Sequence, residues 1–320
     1  MEDNKNIQLN ISESTSMKGL LILLIVIGHN QILVPHNSGV FAWLYMFHVI
    51  CFFILPFFYG GKEKELTGSY IGTLITRNWW PYLITALLVW LTAGLNVNLE
   101  TIYAFFNGST AMTSSKLGGT FLWFMPTFCS FSILLLFSNK YSWFREAITI
   151  MGLGLWFLTW YQFEMIKLYS LFGLPMAIKC FAVGEISKLL FKMEKVALYI
   201  GSIVFVGMSL LFLIFKIILP YSVILFPISA FCLLVAVKSL LQNSFFYTLG
   251  RFSFVIYLVH LFVYRGLNLL MQPILLNGII NLLITLIISI LVAYIIDQTS
   301  ILRKFYTPRN FKELITFYKK

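Results

Sequence analysis

Residues 16–30 read SMKGLLILLIVIGHN, an apolar run with a lysine near its start and a histidine near its end. In an α-helix, successive residues turn by about 100° and rise by about 1.5 Å. Lys18 and His29 are eleven positions apart, so they share nearly one helix face and lie ~16 Å apart along the axis. We interpret Lys18 and His29 as two points on a route that crosses part of a bilayer along this face.

The composition is that of a polytopic membrane protein. Of 320 residues, 59% are hydrophobic and 11% charged, and the mean hydropathy is +0.87. A spanning helix needs about 20 apolar residues, and the sequence holds ten such stretches with short links. We therefore predict an all-α membrane helix bundle with about ten spans, near residues 17–35, 40–60, 75–94, 119–138, 147–162, 170–190, 196–215, 218–239, 252–271 and 277–297.

The basic residues predict the orientation. Most lie in the links on the side of the N-terminus, and six follow Asp297. Because cytoplasmic loops carry the excess of lysine and arginine, we expect both termini in the cytoplasm. The same distribution explains the net charge of +11 without a nucleic-acid partner. The expected parts are a cytoplasmic N-terminal segment (1–16), a transmembrane domain (17–298) and a basic tail (299–320) at the inner surface.

The cysteines and the N-terminus exclude other classes. All four cysteines lie in apolar stretches without paired metal-ligand spacing, so we expect small core residues and neither a disulfide framework nor a metal site. The N-terminus is polar and the first apolar run leads into further spans, so we predict a spanning helix and no cleaved signal peptide.

Three of the four histidines fall at one predicted depth. His29, His48 and His260 lie ~16, ~18 and ~12 Å above the inner edge of their spans, whereas His36 lies in a loop. Each can be a structural hydrogen-bonding residue, but ionisable groups inside a membrane are costly and often functional. No carboxylate shares this depth, so we expect His48, Asn30 or a backbone carbonyl to fix the tautomer of His29, which leaves a neutral imidazole usable as a base.

Other segments allow two interpretations each. Lys18 and Arg77, at predicted inner ends of spans, are either membrane-surface anchors or a clamp for the phosphates of a nucleotide-bearing donor. The aromatic run 122–126 is either part of the interfacial belt or a wall for a sugar. The segment 96–119, read as a loop, either skirts the headgroups or acts as a lid.

Five short motifs, in order, resemble the membrane-bound acyltransferase family 3: KGLLILLIVIGH (18–29), FHVICFFILP (47–56), RNWWPY (77–82), WFMP (123–126) and GRFSFVIYLVH (250–260). The first resembles the family's basic residue, ten residues, then histidine. The chain departs from the pattern in having lysine at position 18, where many members have arginine, and Val49-Ile50 after the second histidine. No further soluble domain follows the last span, so the resemblance is to the stand-alone, sugar-acetylating branch.

The resemblance implies an O-acyltransferase in the inner membrane of a bacterium. It moves an acetyl group from cytoplasmic acetyl-CoA to a sugar hydroxyl of a surface or capsular polysaccharide or its lipid-linked precursor. In this interpretation Lys18 and Arg77 hold the donor phosphates, and the catalytic candidates are His29, as general base, and His48. Either His48 or His260 orients His29 or donates to the developing oxyanion. Candidate acceptor contacts are Trp123, Tyr257, His260 and Arg265. A transient acyl-histidine stays open, as does the oligomeric state.

Two other classes remain at this point. A polytopic exporter or flippase of glycolipids would have the same bundle and polar layer but would not bind acetyl-CoA. A structural membrane partner would give no reason for three histidines at one depth.

Overall fold

The computed structural model describes residues 8–59, 66–94, 97–160, 170–190, 194–216, 222–270 and 274–316. Within these ranges the named elements are all helices, and only isolated β-bridges, such as the one between Leu9 and Tyr59, are present besides them. The predicted all-helical class is confirmed.

The helices are numbered here in chain order. They are α1 (Ile11–His29), α2 (Gly39–Tyr45), α3 (His48–Ile54), α4 (Gly68–Ala93), α5 (Leu99–Phe106), α6 (Thr110–Leu117), α7 (Phe124–Lys140), α8 (Ser142–Trp160), α9 (Leu174–Leu190), α10 (Glu194–Phe215), α11 (Ser222–Ala236), α12 (Lys238–Leu241), α13 (Ser244–Arg251), α14 (Ser253–Asn268), α15 (Leu275–Gln298), α16 (Ser300–Tyr306) and α17 (Phe311–Ile315). Short 3-10 helices, Leu55–Phe58 and Thr120–Trp123, follow α3 and precede α7.

Among the described residues, five helical segments are long and apolar enough to cross a membrane: Ile11–His29, Gly39–Phe58, Thr120–Lys140, Val196–Phe215 and Leu275–Gln298. A sixth is present if α13 and α14, which meet at 82°, are counted as one broken span. The protein is therefore a membrane protein, while the total of about ten spans stays a prediction.

The chain divides into two compact units. The first comprises Met1–Gly61 and Val183–Tyr294, and the second comprises Lys62–Ala182 and Ile295–Lys320. The three histidines of the predicted layer belong to the first unit, and Arg77 and Trp123 belong to the second.

Helix α1 is shifted toward the N-terminus from its predicted position. It begins at Ile11 because Asn10 and Glu13 form a capping box, in which Asn10 Oδ1 accepts from the Glu13 N–H (2.8 Å) and Glu13 Oε2 from the Asn10 N–H (2.9 Å). Lys238 also pairs with Glu13 at 2.8 Å. Lys18 therefore lies about two turns inside the helix instead of at its first turn.

The same helix ends at His29 and not near residue 35. Asn30 is its C-cap and leaves the helical conformation (φ −81°, ψ 92°). The Asn30 amide donates to the Gly278 carbonyl at 2.8 Å, and its Oδ1 accepts from the N–H groups of Ile32 and Leu33. The predicted histidine is thus the last residue of a helix, where backbone carbonyls lack intrahelical partners.

Helices α1 and α13 are in backbone contact. A Cβ at Gly19 would overlap the Phe246 carbonyl, and one at Gly250 would overlap the carbonyl oxygen of Thr15. Only glycine fits this approach at both positions. The contact places Arg251, which follows Gly250, beside the part of α1 that carries Lys18.

The second predicted span is interrupted. We expected one helix over 40–60, but α2 ends at Tyr45 and α3 begins at His48, with Phe47 outside the helical region (φ −137°, ψ −41°). His48 Nδ1 binds the Leu44 carbonyl, which is the acceptor that the His48 backbone N–H would use in a continuous helix. The imidazole shares this carbonyl with the Phe47 N–H (3.3 Å), and such side-chain competition for a backbone acceptor accompanies the break.

Within the segment 96–119, predicted to connect two spans, residues 99–106 and 110–117 are helical, while its role as a lid or as a stretch along the headgroups stays a prediction. Asn98 caps α5 and Ser109 caps α6, each by accepting a backbone N–H with its side chain. Lys116 pairs with Glu100 and joins them.

The four cysteines, Cys51, Cys129, Cys180 and Cys232, are buried and free. Their prediction as small core residues is confirmed.

Candidate active site

His29, Tyr45 and His260 meet at the end of α1, within the first unit. The His29 and His260 ring centroids are 5.2 Å apart. The Tyr45 ring stands edge-on to His29 (6.0 Å, 87°), and its hydroxyl oxygen lies 3.2 Å from Nε2 and 3.4 Å from Nδ1 of His29. His48 joins this group through Tyr45, with ring centroids 4.9 Å apart.

Two of these histidines are sealed inside the protein and one is not. His48 and His260 are 0% exposed, whereas His29 and Tyr45 each keep part of their surface accessible. Since a general base must reach the proton it removes, His29 is the histidine of the group that an acceptor can approach.

Backbone contacts define the tautomers of the sealed histidines. Nδ1 of His260 lies 2.7 Å from the Tyr257 carbonyl and 3.1 Å from that of Ile256, and Nδ1 of His48 contacts the Leu44 carbonyl. A carbonyl can only accept, so we infer that both Nδ1 atoms carry the proton. In the neutral rings each Nε2 then holds a lone pair. No described protein group hydrogen-bonds Nε2 of His48.

Tyr264 holds α14 against α1. Its hydroxyl donates to the Val26 carbonyl at 2.9 Å. That carbonyl is open because α1 stops at His29 and the Asn30 N–H binds Ile27 instead. This bond fixes His260, four residues before Tyr264 and on the same helix face, next to His29.

The other predicted contacts are distributed less compactly. Tyr257 is buried, with its ring 6.0 Å from that of His260. Arg265 is exposed and lies about 140° around α14 from His260, on another face. Trp123, in the second unit, is partly exposed and packs near Phe124 (6.2 Å between ring centroids).

The two predicted phosphate-binding residues differ in their setting. Lys18 is partly buried on α1 of the first unit, and Arg77 is exposed on α4 of the second. Lys18 and His29 lie in one continuous helix, for which regular geometry gives nearly one face and an axial separation of about 16 Å.

Three residues of this region were missed in the sequence analysis: Tyr45, Tyr264 and Arg251. Tyr264 lies four positions after His260 on the same helix, whereas Tyr45 and His48 lie on either side of the break between α2 and α3. Both are uncharged, so a search for ionisable groups passed over them. Asn30 was one of three groups expected to fix the tautomer of His29, and its side chain instead binds backbone groups at the end of α1.

The described residues contain no group of three or more histidine, cysteine, aspartate or glutamate side chains that could hold a metal ion. The chemistry open to this arrangement is proton transfer by an accessible imidazole beside a phenol.

A comparison with protein-family models identifies the family. A model described as an acyltransferase domain matches residues 12–298. The chain belongs to acyltransferase family 3. This match to family 3 begins in the first turn of α1 and includes every candidate residue from Lys18 to Arg265. A search of the curated proteins and a search of the solved structures found no match.

Family 3 membership and the apolar helices together make the protein a membrane acyltransferase. Of the two alternatives raised by the sequence, neither the exporter nor the structural partner accounts for this membership.

Proposed function

We propose that this family 3 acyltransferase moves an acetyl group from cytoplasmic acetyl-CoA to a hydroxyl of a sugar in a surface polysaccharide or its lipid-linked precursor. It works in the inner membrane of a bacterium, with about ten spans and both termini in the cytoplasm. Its partners are acetyl-CoA, the carbohydrate acceptor and membrane lipid, without a metal.

One observation carries this proposal. His29 is the partly exposed member of a group of three histidines, and it lies on the same α1 face as Lys18. The ~16 Å between them suits a donor whose charged end and reactive thioester are joined by a flexible arm.

Lys18 and Arg77 are the proposed contacts of the CoA phosphates, and Arg251 is a third cation for this role. The Gly19–Gly250 contact brings Arg251 beside the Lys18 region of α1. The Arg251 guanidinium is exposed and lies 5.1 Å from the Phe252 ring. An ammonium and a two-pronged guanidinium together suit phosphate oxygens.

His29 then acts as general base. It takes the proton of the sugar hydroxyl while that oxygen attacks the thioester carbon, and the carbonyl electrons move to oxygen. When the carbonyl re-forms, the carbon–sulfur bond breaks and the CoA thiolate takes the proton from His29. The products are an acetyl ester and CoA, and such proton transfer contributes typically 10²–10⁴-fold in rate.

The sealed residues of the site have supporting parts in this proposal. His48, His260 and Tyr257 are buried, so they shape the surroundings of His29 and reach the substrate only if the site opens. Trp123 and Arg265 keep accessible surface and are the proposed contacts of the sugar acceptor.

The test uses purified protein in lipid with acetyl-CoA labelled in the acetyl group and a panel of lipid-linked oligosaccharides. We expect labelled acetyl ester with the wild-type protein and a loss of at least 10²-fold in His29→Ala. His36→Ala is the matched control, because His36 is exposed and its ring is tilted by 52° against that of Phe41 (4.7 Å between centroids). Full activity in His29→Ala would reject the base, and wild-type protein that binds no acetyl-CoA would favour an exporter.

A further inference from the structure

Lys179 is a charged residue inside an apolar helix of the second unit. It lies on α9, five residues after the start of that helix at Leu174, which is about 7.5 Å along the axis. Ionisable residues within apolar membrane helices are costly and generally pair with another group or serve a function. Neither the histidine group nor the proposed donor site includes Lys179, so its presence requires a separate explanation.

The ammonium group of Lys179 rests on an aromatic ring. Its Nζ lies over the ring of Trp156, 4.7 Å from the centroid, which is within range for a cation–π interaction. The indole N–H of Trp156 donates to the backbone carbonyl of Lys179 at 3.1 Å. The two residues are therefore joined twice, and these contacts fix the ammonium group relative to α9.

Helices α8 and α9 are in close contact beside this pair. An added Cβ at Gly152, one turn before Trp156, would overlap the Ile178 carbonyl oxygen and the Ala182 Cβ. A small residue at such a point lets two membrane helices approach each other closely. Trp156 is thus held near α9 by the packing of the helices as well as by its own hydrogen bond.

The described part of the chain supplies no carboxylate for the charge on Lys179. Lys116, in the same unit, shows the opposite arrangement, because it is paired with Glu100. An ammonium group has three N–H donors, and a ring that covers one side leaves donors for a further acceptor. Lys179 also keeps accessible surface, so an anion can reach it.

The surface next to this pair indicates which kind of anion fits. Leu153 and Phe157, which neighbour Trp156 on α8, and Leu174 on α9 are exposed apolar residues. On a membrane helix such a surface is covered by lipid chains. Lys179 and Trp156 lie within about two turns of the helix ends that the link 161–173 connects, where a lysine reaches the depth of the headgroups. One ammonium group matches the single negative charge of a phosphodiester.

We propose that Lys179 and Trp156 form a binding site for the headgroup of an anionic phospholipid of the phosphatidylglycerol type. The Lys179 ammonium donates to the phosphodiester oxygens while the Trp156 ring supports it from the other side. The acyl chains lie along the exposed apolar residues of α8 and α9. This site is additional to the proposed acyl transfer and does not depend on it.

The binding test uses phosphatidylglycerol with a photoreactive acyl chain, added to the purified full-length protein in detergent. Labelling of peptides from α8 and α9 is measured against lipid concentration. We expect Lys179→Gln to raise the half-saturating concentration about five- to tenfold, the effect of one cation near an anionic lipid. Lys179→Arg should retain binding, because arginine keeps the charge and stacks on aromatic rings.

Lys116→Gln is the matched control, since the charge of Lys116 is already paired, and it should label like the wild type. The same labelling curve for wild type and Lys179→Gln would overturn the proposal. Competition identifies the lipid: unlabelled phosphatidylglycerol should displace the probe and zwitterionic phosphatidylcholine should not. Stronger displacement by a polyprenyl phosphate than by phosphatidylglycerol would overturn the assignment to a phospholipid.

Thermal unfolding keeps the test decisive if Lys179→Gln is less stable on its own. A lipid that binds the folded state raises the unfolding midpoint, so the quantity compared is the rise on adding phosphatidylglycerol. This rise should be smaller in Lys179→Gln than in the wild type and unchanged in Lys116→Gln. Equal rises in all three proteins would contradict the site. If the wild type transfers no acetyl group, the proposed function fails while both lipid measurements still report on Lys179.

Discussion

At the residue scale, exposure separates His29 from His48. His29 is accessible at a helix end, whereas His48 is fully buried and its Nδ1 binds the Leu44 carbonyl at the break between α2 and α3. Replacing His29 should lower the rate of acyl transfer, whereas replacing His48 should lower the stability of the fold.

We therefore expect His48→Ala to destabilise the protein by on the order of 2 kcal/mol, because it leaves a cavity and frees a buried carbonyl. Thermal unfolding in detergent measures this, with His29→Ala as the matched comparison, whose midpoint should stay near that of the wild type. If His48→Ala unfolds like the wild type but loses its activity, His48 has a direct catalytic part.

Gly28 gives a second prediction at this scale. A methyl group there would press on Cε2 of Tyr45 at 3.3 Å, so Gly28→Ala should displace the hydroxyl from His29 and lower kcat severalfold. Gly207→Ala is the control, since an added Cβ there meets nothing within 4 Å. Equal kcat values for both variants would show that the Tyr45 ring can move without consequence.

At the scale of elements, the packing of α1 on α13 is the contact that positions the site. Gly19 and Gly250 each face backbone atoms, so a side chain cannot move aside to make room. We expect Gly250→Ala to cost about 1–3 kcal/mol through overpacking and to weaken acetyl-CoA binding, because Arg251 moves with it. Unfolding midpoints and isothermal titration with CoA measure the two effects. A stable variant with wild-type CoA affinity would argue against Arg251 as a donor contact.

A helix end was predictable where a polar residue caps it. It was not predictable where a contact with another part of the fold determines where the helix ends. Asn10 with Glu13 is a readable N-terminal signal, and Asn30 is a readable C-terminal one, although both were passed over for the apolar run. The break between α2 and α3 at Phe47 is not marked by a proline or glycine in the sequence. It accompanies the contact between the His48 ring and the Leu44 carbonyl, which helix propensity does not predict.

The sequence predicted the charged residues and the histidines of the site, but it did not predict the tyrosines. The motif spacing identified Lys18 and His29, and the depth argument grouped His29 with His260, whose rings are neighbours. Tyr45 contacts His29 through the fold of another helix, which a single-helix periodicity cannot show. Arg265 is close to His260 in sequence, but it lies on another face of α14, so nearness along the chain did not place it in the site.

At the scale of the whole molecule, orientation is the open prediction with the simplest test. The four native cysteines are buried, so single cysteines added at position 3 or 318 can be labelled with a membrane-impermeant maleimide against a low background. We expect labelling only after the cells are permeabilised, because the basic links and tail predict cytoplasmic termini. Labelling of intact cells at either position would reverse or reject this topology.

The whole account depends on the thioester reaching His29 from the side of Lys18. A structure of the protein with a non-hydrolysable acetyl-CoA analogue tests this most directly. We predict that the phosphates contact Lys18 and that the thioester mimic lies beside the ring of His29. An analogue bound with its reactive end away from His29, or a His29 ring closed off from it by side chains, would contradict the account.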